Sequence, residues 1–343
     1  MRIRDFGIEI GSMKPGPLNR ISDVPGVTVG HTTIADEHHN TGVTVVLPCT
    51  DNPFASKLPC ASFVLNGFGK TAGLVQIDEL GTLETPIALT NTLNVGLVHD
   101  ALVEHMIELC RRDAVPLRSV NPIVCECNDA SLNDILHRAV TKEHVFAAIE
   151  SARSDFEEGA VGCGRGTTCH GLKGGVGSAS RQVELDGKDY TLGVLVQTNH
   201  GRLRDLMIRG DAVGERIHTA IQENHPDQGS CIVILATDLP LTDRQLRRVI
   251  RRCSVGLARL GSFIGHGSGE VFIGFSTANR VPFEDPRAVI PCAALNENRI
   301  DLSFRAAAEC TEEAVLNSMI AAEEVTGPSG TVRRALRDYL IRR

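Results

Sequence analysis

The stretch Gly229-Ser230-Cys231-Ile232-Val233-Ile234-Leu235-Ala236 joins a Gly-Ser step to an unbroken run of apolar residues. The run predicts a buried β-strand, and the turn formers before it predict a flexible segment over roughly residues 221–228. Glycine leaves its carbonyl open to attack and serine supplies a hydroxyl, so cleavage between them would give Ser230 both a nucleophile and a free amine. The stretch therefore predicts a self-cleaving hydrolase. The alternative interpretation is that Ser230 is only a polar residue at the start of a strand.

Three further polar features lie beside apolar runs. The cluster His266-Gly267-Ser268-Gly269-Glu270 runs into a second predicted strand, although such Gly-Ser-Gly turns are common. Asn199 follows a third predicted strand, where it either forms a turn or presents its amide to an oxyanion. Glu126 ends an apolar stretch, where a carboxylate is costly unless it is paired. We interpret Glu126 either as one half of a structural ion pair with an arginine or as a receptor for a substrate ammonium group.

Composition excludes several classes of protein. The chain has 343 residues, of which 42% are hydrophobic, enough for a large core. The net charge is −7 and there is no basic block, so no nucleic-acid partner is expected. No apolar run is long enough for a membrane helix, and no membrane partner is expected. The 11 cysteines are scattered, which predicts reduced thiols and a cytoplasmic protein.

The sequence gives no reason to expect a metal or a cofactor. The histidines, His170 and His200 among them, do not show the spacing of a metal-binding motif, and we assign them to structural or surface roles. The sequence therefore predicts a metal-independent enzyme.

Apolar strands alternate with amphipathic helices. The strands are expected near residues 43–47, 62–65, 87–90, 190–196, 231–237 and 270–275. Their nearly continuous hydrophobicity predicts a sheet that is covered on both faces. One long helix is expected to begin at Thr242 with a capping box to Gln245 and to end at Gly261. Further helices are expected over residues 98–112, 131–140, 141–152 and 311–325.

A glycine-rich run occupies residues 159–181. A nucleotide site would need a strand before the run and a helix after it, and the pattern provides neither. We interpret the run as tight turns and close backbone packing near an active site, with nucleotide binding as the weaker alternative.

Motifs along most of the chain resemble one known family, the DmpA/BapA peptidases, which comprise the L-aminopeptidase/D-esterase and the β-peptidyl aminopeptidases. The resemblance covers about residues 1–330, with the motifs in the same order. The matching residues are Arg20-Ile21-Ser22-Asp23-Val24-Pro25-Gly26-Val27-Thr28-Val29-Gly30-His31, Leu89-Thr90-Asn91-Thr92, residues 159–181, Gly193-Val194-Leu195-Val196-Gln197, Ala236-Thr237-Asp238, Gly267-Ser268-Gly269-Glu270, Phe275-Ser276-Thr277-Ala278-Asn279 and Thr311-Glu312-Glu313-Ala314-Val315-Leu316-Asn317.

The resemblance implies an α+β fold, a four-layered αββα sandwich similar to N-terminal-nucleophile hydrolases but with different connectivity. It implies a single catalytic domain, residues 1–343, that cleaves itself into an α chain of 1–229 and a β chain of 230–343. The two chains would stay associated and form homo-oligomers, tetramers or larger.

The resemblance also assigns roles to site residues. Ser230 matches the nucleophile, Ser268 and Glu270 the residues that support it, and Asn199 the oxyanion amide. Glu126 lies where the family places an acidic residue near the substrate amine.

Two positions depart from the family pattern and put the substrate in question. Asn128 stands where family members often have a tyrosine that lines the site, and Lys70 stands where an acidic residue is common. We keep Asn128 as a candidate substrate-binding residue.

The leading hypothesis is a self-processing serine aminopeptidase or amidase. It would act through an acyl-enzyme on short peptides, amides or esters, including D- or β-amino-acid derivatives. The alternatives are an acyltransferase of the ornithine acetyltransferase type on a related fold and an inactive relative that serves in binding.

Overall fold

Two β-sheets form the centre of the computed structural model, which describes residues 1–221 and 229–340. The predicted flexible segment, residues 221–228, lies almost wholly outside the described residues. The strands are β1 Thr28–Ala35, β2 Asn40–Leu47, β3 Ser56–Gly67, β4 Thr82–Leu83, β5 Ile87–Asn91, β6 Ile123–Cys127, β7 Thr168–Cys169, β8 Leu172–Lys173, β9 Val176–Leu185, β10 Lys188–Asn199, β11 Ser230–Thr237, β12 Gly269–Ser276, β13 Val281–Pro282, β14 Val325–Thr326 and β15 Val332–Arg333.

Helices flank the two sheets. They are α1 Leu74–Leu80, α2 Val95–Arg112, α3 Lys142–Glu150, α4 Val213–Ile221, α5 Asp243–Ile250, α6 Cys253–Arg259 and α7 Asp301–Ala321. Within the described part of the chain, none of these helices combines the length and the apolar character that a membrane span requires.

The larger sheet has the strand order β13-β3-β12-β11-β10-β9, with β4 paired to β3, and the smaller sheet has the order β1-β2-β5-β6. The central pair β11 and β12 is parallel, whereas β11 is antiparallel to β10 and β12 is antiparallel to β3. The larger sheet is therefore mixed, and its parallel pair lies in the middle, where both faces are covered.

Three apolar clusters show how the layers are stacked. In β11, Cys231 and Val233 pack with residues of α5, α6 and α7, whereas Ile232 and Ile234 pack with residues of the smaller sheet such as Leu89. This alternation follows from the two-residue period of a strand. A third cluster joins the smaller sheet to α2 and α3. The result is helices, sheet, sheet and helices, which confirms the predicted four-layered αββα sandwich.

Most predicted elements are present, but three helices differ from expectation. The helix predicted over residues 311–325 is α7, which begins earlier, at Asp301, and ends at Ala321. All six predicted strands are found.

The helix that begins after the N-cap Thr242 has the predicted capping box with Gln245, but it breaks between α5 and α6. At Arg252 the backbone N–H donates to Val249, three residues back rather than four, and this tighter turn separates the two helices.

The helix predicted over residues 131–140 is wrong, because only a short 3-10 turn, Ile135–His137, forms there. The side chain of Asn133 accepts the backbone N–H of Asn40 and donates to Asp129, which ties this segment to the start of β2. Such side-chain bonds compete with helix formation.

Segments on either side of the Gly229–Ser230 bond are interleaved throughout the fold. The central strands β11 and β12 lie between β10 and β3, which precede that bond in the chain. The helix α7 packs on β9, where the buried Arg181 forms ion pairs with Glu309 at 3.2 Å and Glu313 at 2.6 Å.

Candidate active site

The candidate nucleophile Ser230 lies where three strands of the larger sheet meet. It is the first residue of β11, paired with Asn199 at the end of β10 and with Gly269 at the start of β12. Its side chain is on the same strand face as Ile232, toward the smaller sheet. Only 7% of Ser230 is exposed. The register of β10, β11 and β12 therefore fixes three of the sequence-predicted motifs at one point.

Glycine is required on both sides of this hydroxyl. A Cβ on Gly229 would lie 1.5 Å from the carbonyl oxygen of Asn199. A Cβ on Gly269 would lie 2.6 Å from the carbonyl oxygen of Phe68 and 3.1 Å from the Ser230 Oγ. The close approach of neighbouring backbone thus excludes side chains here, and the space in front of Ser230 stays open.

Ser268 and Glu270 form a buried pair next to this point. The Ser268 hydroxyl donates a hydrogen bond to Glu270 Oε1, and both residues are buried. Because the Ser268 hydrogen is directed to a carboxylate, the oxygen of Ser268 can accept a proton from another donor. The pair can therefore move a proton away from a neighbouring hydroxyl.

Asn199 is held in one orientation by two backbone groups. Its Oδ1 accepts the N–H of Thr168 at 2.9 Å, and its Nδ2 donates to the carbonyl oxygen of Asn128 at 2.9 Å. The amide nitrogen has a second hydrogen, from which an oxyanion would accept a hydrogen bond. The structure thus places the predicted oxyanion residue beside Ser230 through strand pairing.

Glu126 projects from the smaller sheet into the same space. It lies in β6, is buried, and its Oε1 accepts the backbone N–H of Lys70 at 3.0 Å while its Oε2 accepts the Thr92 hydroxyl. These donors are uncharged, and Glu126 makes no ion pair among residues 1–221 and 229–340. Of its two interpretations, the ammonium receptor is therefore favoured over a structural ion pair.

One cavity of about 470 Å³ has both Ser230 and Glu126 in its lining. Its lining residues are Phe68, Lys70, Thr92, Glu126, Asn128, Ser230, His266 and Gly267. The volume is within the usual range of small-molecule sites. The structure thus brings the candidate nucleophile Ser230, the buried carboxylate of Glu126 and the candidate substrate-binding residue Asn128 together around one cavity.

Five lining residues were not predicted from the sequence as site residues: Phe68, Lys70, Thr92, His266 and Gly267. Thr92 belongs to one of the motifs that carried the resemblance, so that motif was the available signal. Phe68 is 60% exposed, and the Nζ of Lys70 lies 5.4 Å from the centre of its ring. An isolated aromatic residue in a loop has no sequence pattern that would mark it.

Neighbouring thiols do not compete with Ser230 as nucleophiles. Burial raises the pKa of Cys231 well above its ordinary value, and the same holds for Cys127, whose sulfur lies 3.6 Å from the Ser230 carbonyl oxygen. A thiol reacts as the thiolate, so both cysteines stay inert at neutral pH.

The glycine-rich run packs backbone against backbone behind the site. It is followed by strand β9 rather than a helix, and a Cβ on Gly175 would lie 2.1 Å from the carbonyl oxygen of Gly159. The buried ammonium group of Lys173 donates to the carbonyl oxygens of Gly164, Thr167 and Gly174 at 2.8–2.9 Å. This is the predicted close packing, without the helix that a nucleotide site needs.

Comparisons with known proteins find one peptidase family and relatives that are named as aminopeptidases. The model of peptidase family S58 matches residues 19–333. A β-peptidyl aminopeptidase BapA from Sphingosinicella xenopeptidilytica is 37% identical, over 95% of this chain and 86% of its own length.

Solved structures agree with this result. A Burkholderia sp. β-aminopeptidase is 39% identical with a TM-score of 0.92, covering 99% of this chain and 98% of its own. The L-aminopeptidase D-Ala-esterase/amidase from Ochrobactrum anthropi is 36% identical with a TM-score of 0.93, covering 99% and 96%. That protein is described as a prototype of the serine aminopeptidases and as a variant of the Ntn-hydrolase fold.

Proposed function

The chain belongs to peptidase family S58, and on that premise we propose that it cleaves itself between Gly229 and Ser230 and then acts through Ser230. It is an aminopeptidase, a hydrolase of peptide bonds, with a fold of the Ntn-hydrolase type. The observation that carries the proposed chemistry is the meeting of Ser230, Asn199 and Gly269 at the paired ends of three strands.

Self-cleavage uses the groups that are present before any free amine exists. The Ser230 oxygen attacks the Gly229 carbonyl carbon, and the proton of the hydroxyl passes to the Ser268–Glu270 pair. The bond from the Gly229 carbonyl carbon to the Ser230 nitrogen breaks, the nitrogen takes up a proton, and an ester remains on the Ser230 oxygen. Water then hydrolyses the ester and leaves Ser230 as the first residue of a second chain.

The mature enzyme repeats this chemistry on a bound substrate. The new α-amine, which ordinarily titrates near pH ~7.7–8.0, joins Ser268 and Glu270 as a proton acceptor for the Ser230 hydroxyl. Attack on the substrate carbonyl develops negative charge on its oxygen, toward which Asn199 directs an amide hydrogen. Collapse releases the leaving amine, and water hydrolyses the acyl-enzyme at Ser230.

Glu126 makes the reaction an aminopeptidase reaction. The buried carboxylate of Glu126 accepts hydrogen bonds from neutral donors only, and it can bind the substrate ammonium group by charge-assisted hydrogen bonds. Asn128 lies at the rim of the same cavity and adjoins the oxyanion residue through its carbonyl oxygen. We assign both to substrate binding.

The substrate is a short peptide, amide or ester with a free amine. The relatives named above act, by their names, on β-peptides, L-aminoacyl groups and D-alanyl esters or amides. We propose that the chain accepts β- and D-aminoacyl derivatives as well as L-aminoacyl ones.

The chain is proposed to work as one catalytic domain of two associated fragments, 1–229 and 230–343, within a homo-oligomer. The buried ion pairs of Arg181 with Glu309 and Glu313 join the fragments. Light scattering after size exclusion tests the oligomer, which should have a mass that is a multiple of 36.9 kDa, at least fourfold. The cytoplasmic location stays a prediction from the sequence.

Intact mass and N-terminal sequencing of the purified chain, followed by assay on aminoacyl p-nitroanilides, test the proposal. The expected result is two fragments, one of which begins Ser230-Cys231-Ile232, and release of nitroaniline. A single chain of 36.9 kDa, or cleaved protein that hydrolyses none of the L-, D- and β-aminoacyl compounds, would contradict it.

A further inference from the structure

A second cluster of reactive side chains lies behind the oxyanion residue. Cys169, His170 and His200 are all buried, and their potential ligand atoms lie within 4.8 Å of one another. None of the three lines the substrate cavity. A thiol and two imidazoles at this separation form a donor set that divalent transition metals prefer.

The backbone is shaped to bring these side chains together. Neighbouring residues in a strand point to opposite faces, but His170 follows β7 with a φ of 47°, in the left-handed region, which changes the direction of its side chain. The His170 N–H donates to the carbonyl oxygen of His200 at 2.7 Å. A Cβ on Gly201 would lie 2.5 Å from the His170 ring, so only glycine leaves room for the imidazole there.

The hydrogen-bond environment of the two imidazoles suits metal binding. His170 Nδ1 lies 3.0 Å from the carbonyl oxygen of Arg202, which can only accept, so Nδ1 carries the hydrogen and Nε2 the lone pair. A ligating histidine in proteins is commonly oriented by such a bond to its other nitrogen. Within residues 1–221 and 229–340, neither nitrogen of His200 has a hydrogen-bond partner.

We propose that Cys169, His170 and His200 bind one divalent metal ion of the zinc class. Two nitrogens and one sulfur suit Zn²⁺, and a tetrahedral ion would have its fourth position for a further ligand such as water. Sequence spacing does not indicate this site, because its residues come from two segments that match no metal-binding motif.

The proposed ion has a positioning role rather than a catalytic one. Thr168, which donates its N–H to Asn199 Oδ1, directly precedes Cys169, and His200 directly follows Asn199. A metal ion would therefore join the two segments that hold the oxyanion amide in place. It takes no part in proton transfer or in attack on the substrate, so the predicted metal-independent chemistry is compatible with it.

Titration of the full chain with Co²⁺, after removal of bound metal by a chelator, tests the site without an activity assay. We expect about one ion per chain, with the visible bands of tetrahedral Co²⁺ and a near-ultraviolet band from the cobalt–thiolate bond. Zn²⁺ should displace the Co²⁺ and raise the unfolding temperature by several degrees, because it binds the folded state.

Two variants and one control locate the site. Cys169→Ala should abolish the thiolate band, and His200→Asn should weaken Zn²⁺ binding by more than about 100-fold, beyond the usual effect of an outer partner. Cys253→Ala, which removes another fully buried thiol of the same core cluster, should bind as the wild type does. Metal-free melting curves of the three variants show whether each one folds.

The proposal is overturned if the wild-type chain shows no cobalt–thiolate band. It is also overturned if folded Cys169→Ala and Cys253→Ala bind the metal with equal affinity. Neither outcome depends on whether the chain cleaves itself or hydrolyses a peptide, so this test is independent of the proposed function.

Discussion

The two sides of the substrate cavity are built differently. The nucleophile side consists of Ser230, which lines the cavity, and of Ser268, Glu270 and Asn199 behind it; all four are buried at or beside the ends of paired strands. The recognition side consists of the exposed residues Phe68, Lys70, Asn128 and His266, with the buried Glu126 at its base. Strand register fixes the positions of the side chains on the nucleophile side, because a slip by one residue would turn every side chain to the other face of the sheet. The second side can change its residues without disturbing the sheets.

The comparison predicts that changes on the nucleophile side affect both self-cleavage and catalysis. Ser230→Ala should leave a single uncut chain and reduce hydrolysis by about 10⁴-fold or more, because both reactions need the same oxygen. Mass spectrometry and p-nitroanilide assays measure the two effects. Ser329→Ala, an exposed serine, should behave as the wild type does. Cleavage of Ser230→Ala at the same bond would show that another group cleaves the chain.

Glu270→Gln separates the two reactions on that side. The amide can still accept the Ser268 hydroxyl, but it lacks the charge that attracts a proton, so the half-life of the precursor should lengthen by about 10²–10⁴-fold. Hydrolysis by the fraction that does mature should fall less, because the free amine of Ser230 is then available as an acceptor. Equal losses in both reactions would contradict this division of roles.

Glu126→Gln should affect recognition alone. The loss of a charge-assisted bond to the substrate ammonium should raise KM about 10- to 150-fold, corresponding to about 1.5–3 kcal/mol. Self-cleavage involves no free amine and should keep its wild-type rate, which serves as the internal control. Steady-state kinetics and the time course of precursor loss measure the two quantities. A slower self-cleavage would place Glu126 on the nucleophile side instead.

Lys70→Glu should have the smallest effect, a change of preference rather than of rate. Lys70 is exposed, so its interaction with an acidic aminoacyl side chain is screened, and the ratio of kcat/KM for acidic over basic substrates should fall by less than about tenfold. The effect should diminish as salt is added. Lys188→Glu, an exposed lysine in β10 away from the cavity, is the matched control. An unchanged ratio would show that Lys70 does not contact the substrate.

More residues of the buried nucleophile side than of the exposed recognition side could be singled out from the sequence. Ser230, Ser268 and Asn199 lie at or next to the ends of apolar strands, and the apolar runs that predict these strands also locate the three residues. Phe68 and His266 lie in connections, where no period constrains residue type. Their placement depends on how those connections fold over the sheet ends, which single-sequence patterns do not encode.

The same limit explains the errors in the fold. The segment 131–140 has apolar residues at helical spacing, but the Asn133 side chain bonds to β2, a contact between positions far apart in the chain. The sequence pattern does not show the cluster of Cys169, His170 and His200 for the same reason, since the cluster depends on the left-handed backbone of His170 and on its hydrogen bond to His200, the residue after β10. Tertiary contacts of this kind override local patterns.

The strand order β3-β12-β11-β10 means that self-cleavage permanently changes how the larger sheet can be assembled. While the chain is intact, the two central strands reach their places by an intramolecular search. Once the bond before Ser230 is cut, the same sheet is shared by two polypeptides, and any unfolded molecule must find its missing half by diffusion. Denatured mature enzyme should therefore regain activity at a rate that depends on protein concentration. The uncut Ser230→Ala chain should refold at a rate that does not depend on protein concentration. The protein can fold as a single chain only before self-cleavage, that is, before it gains its enzymatic function.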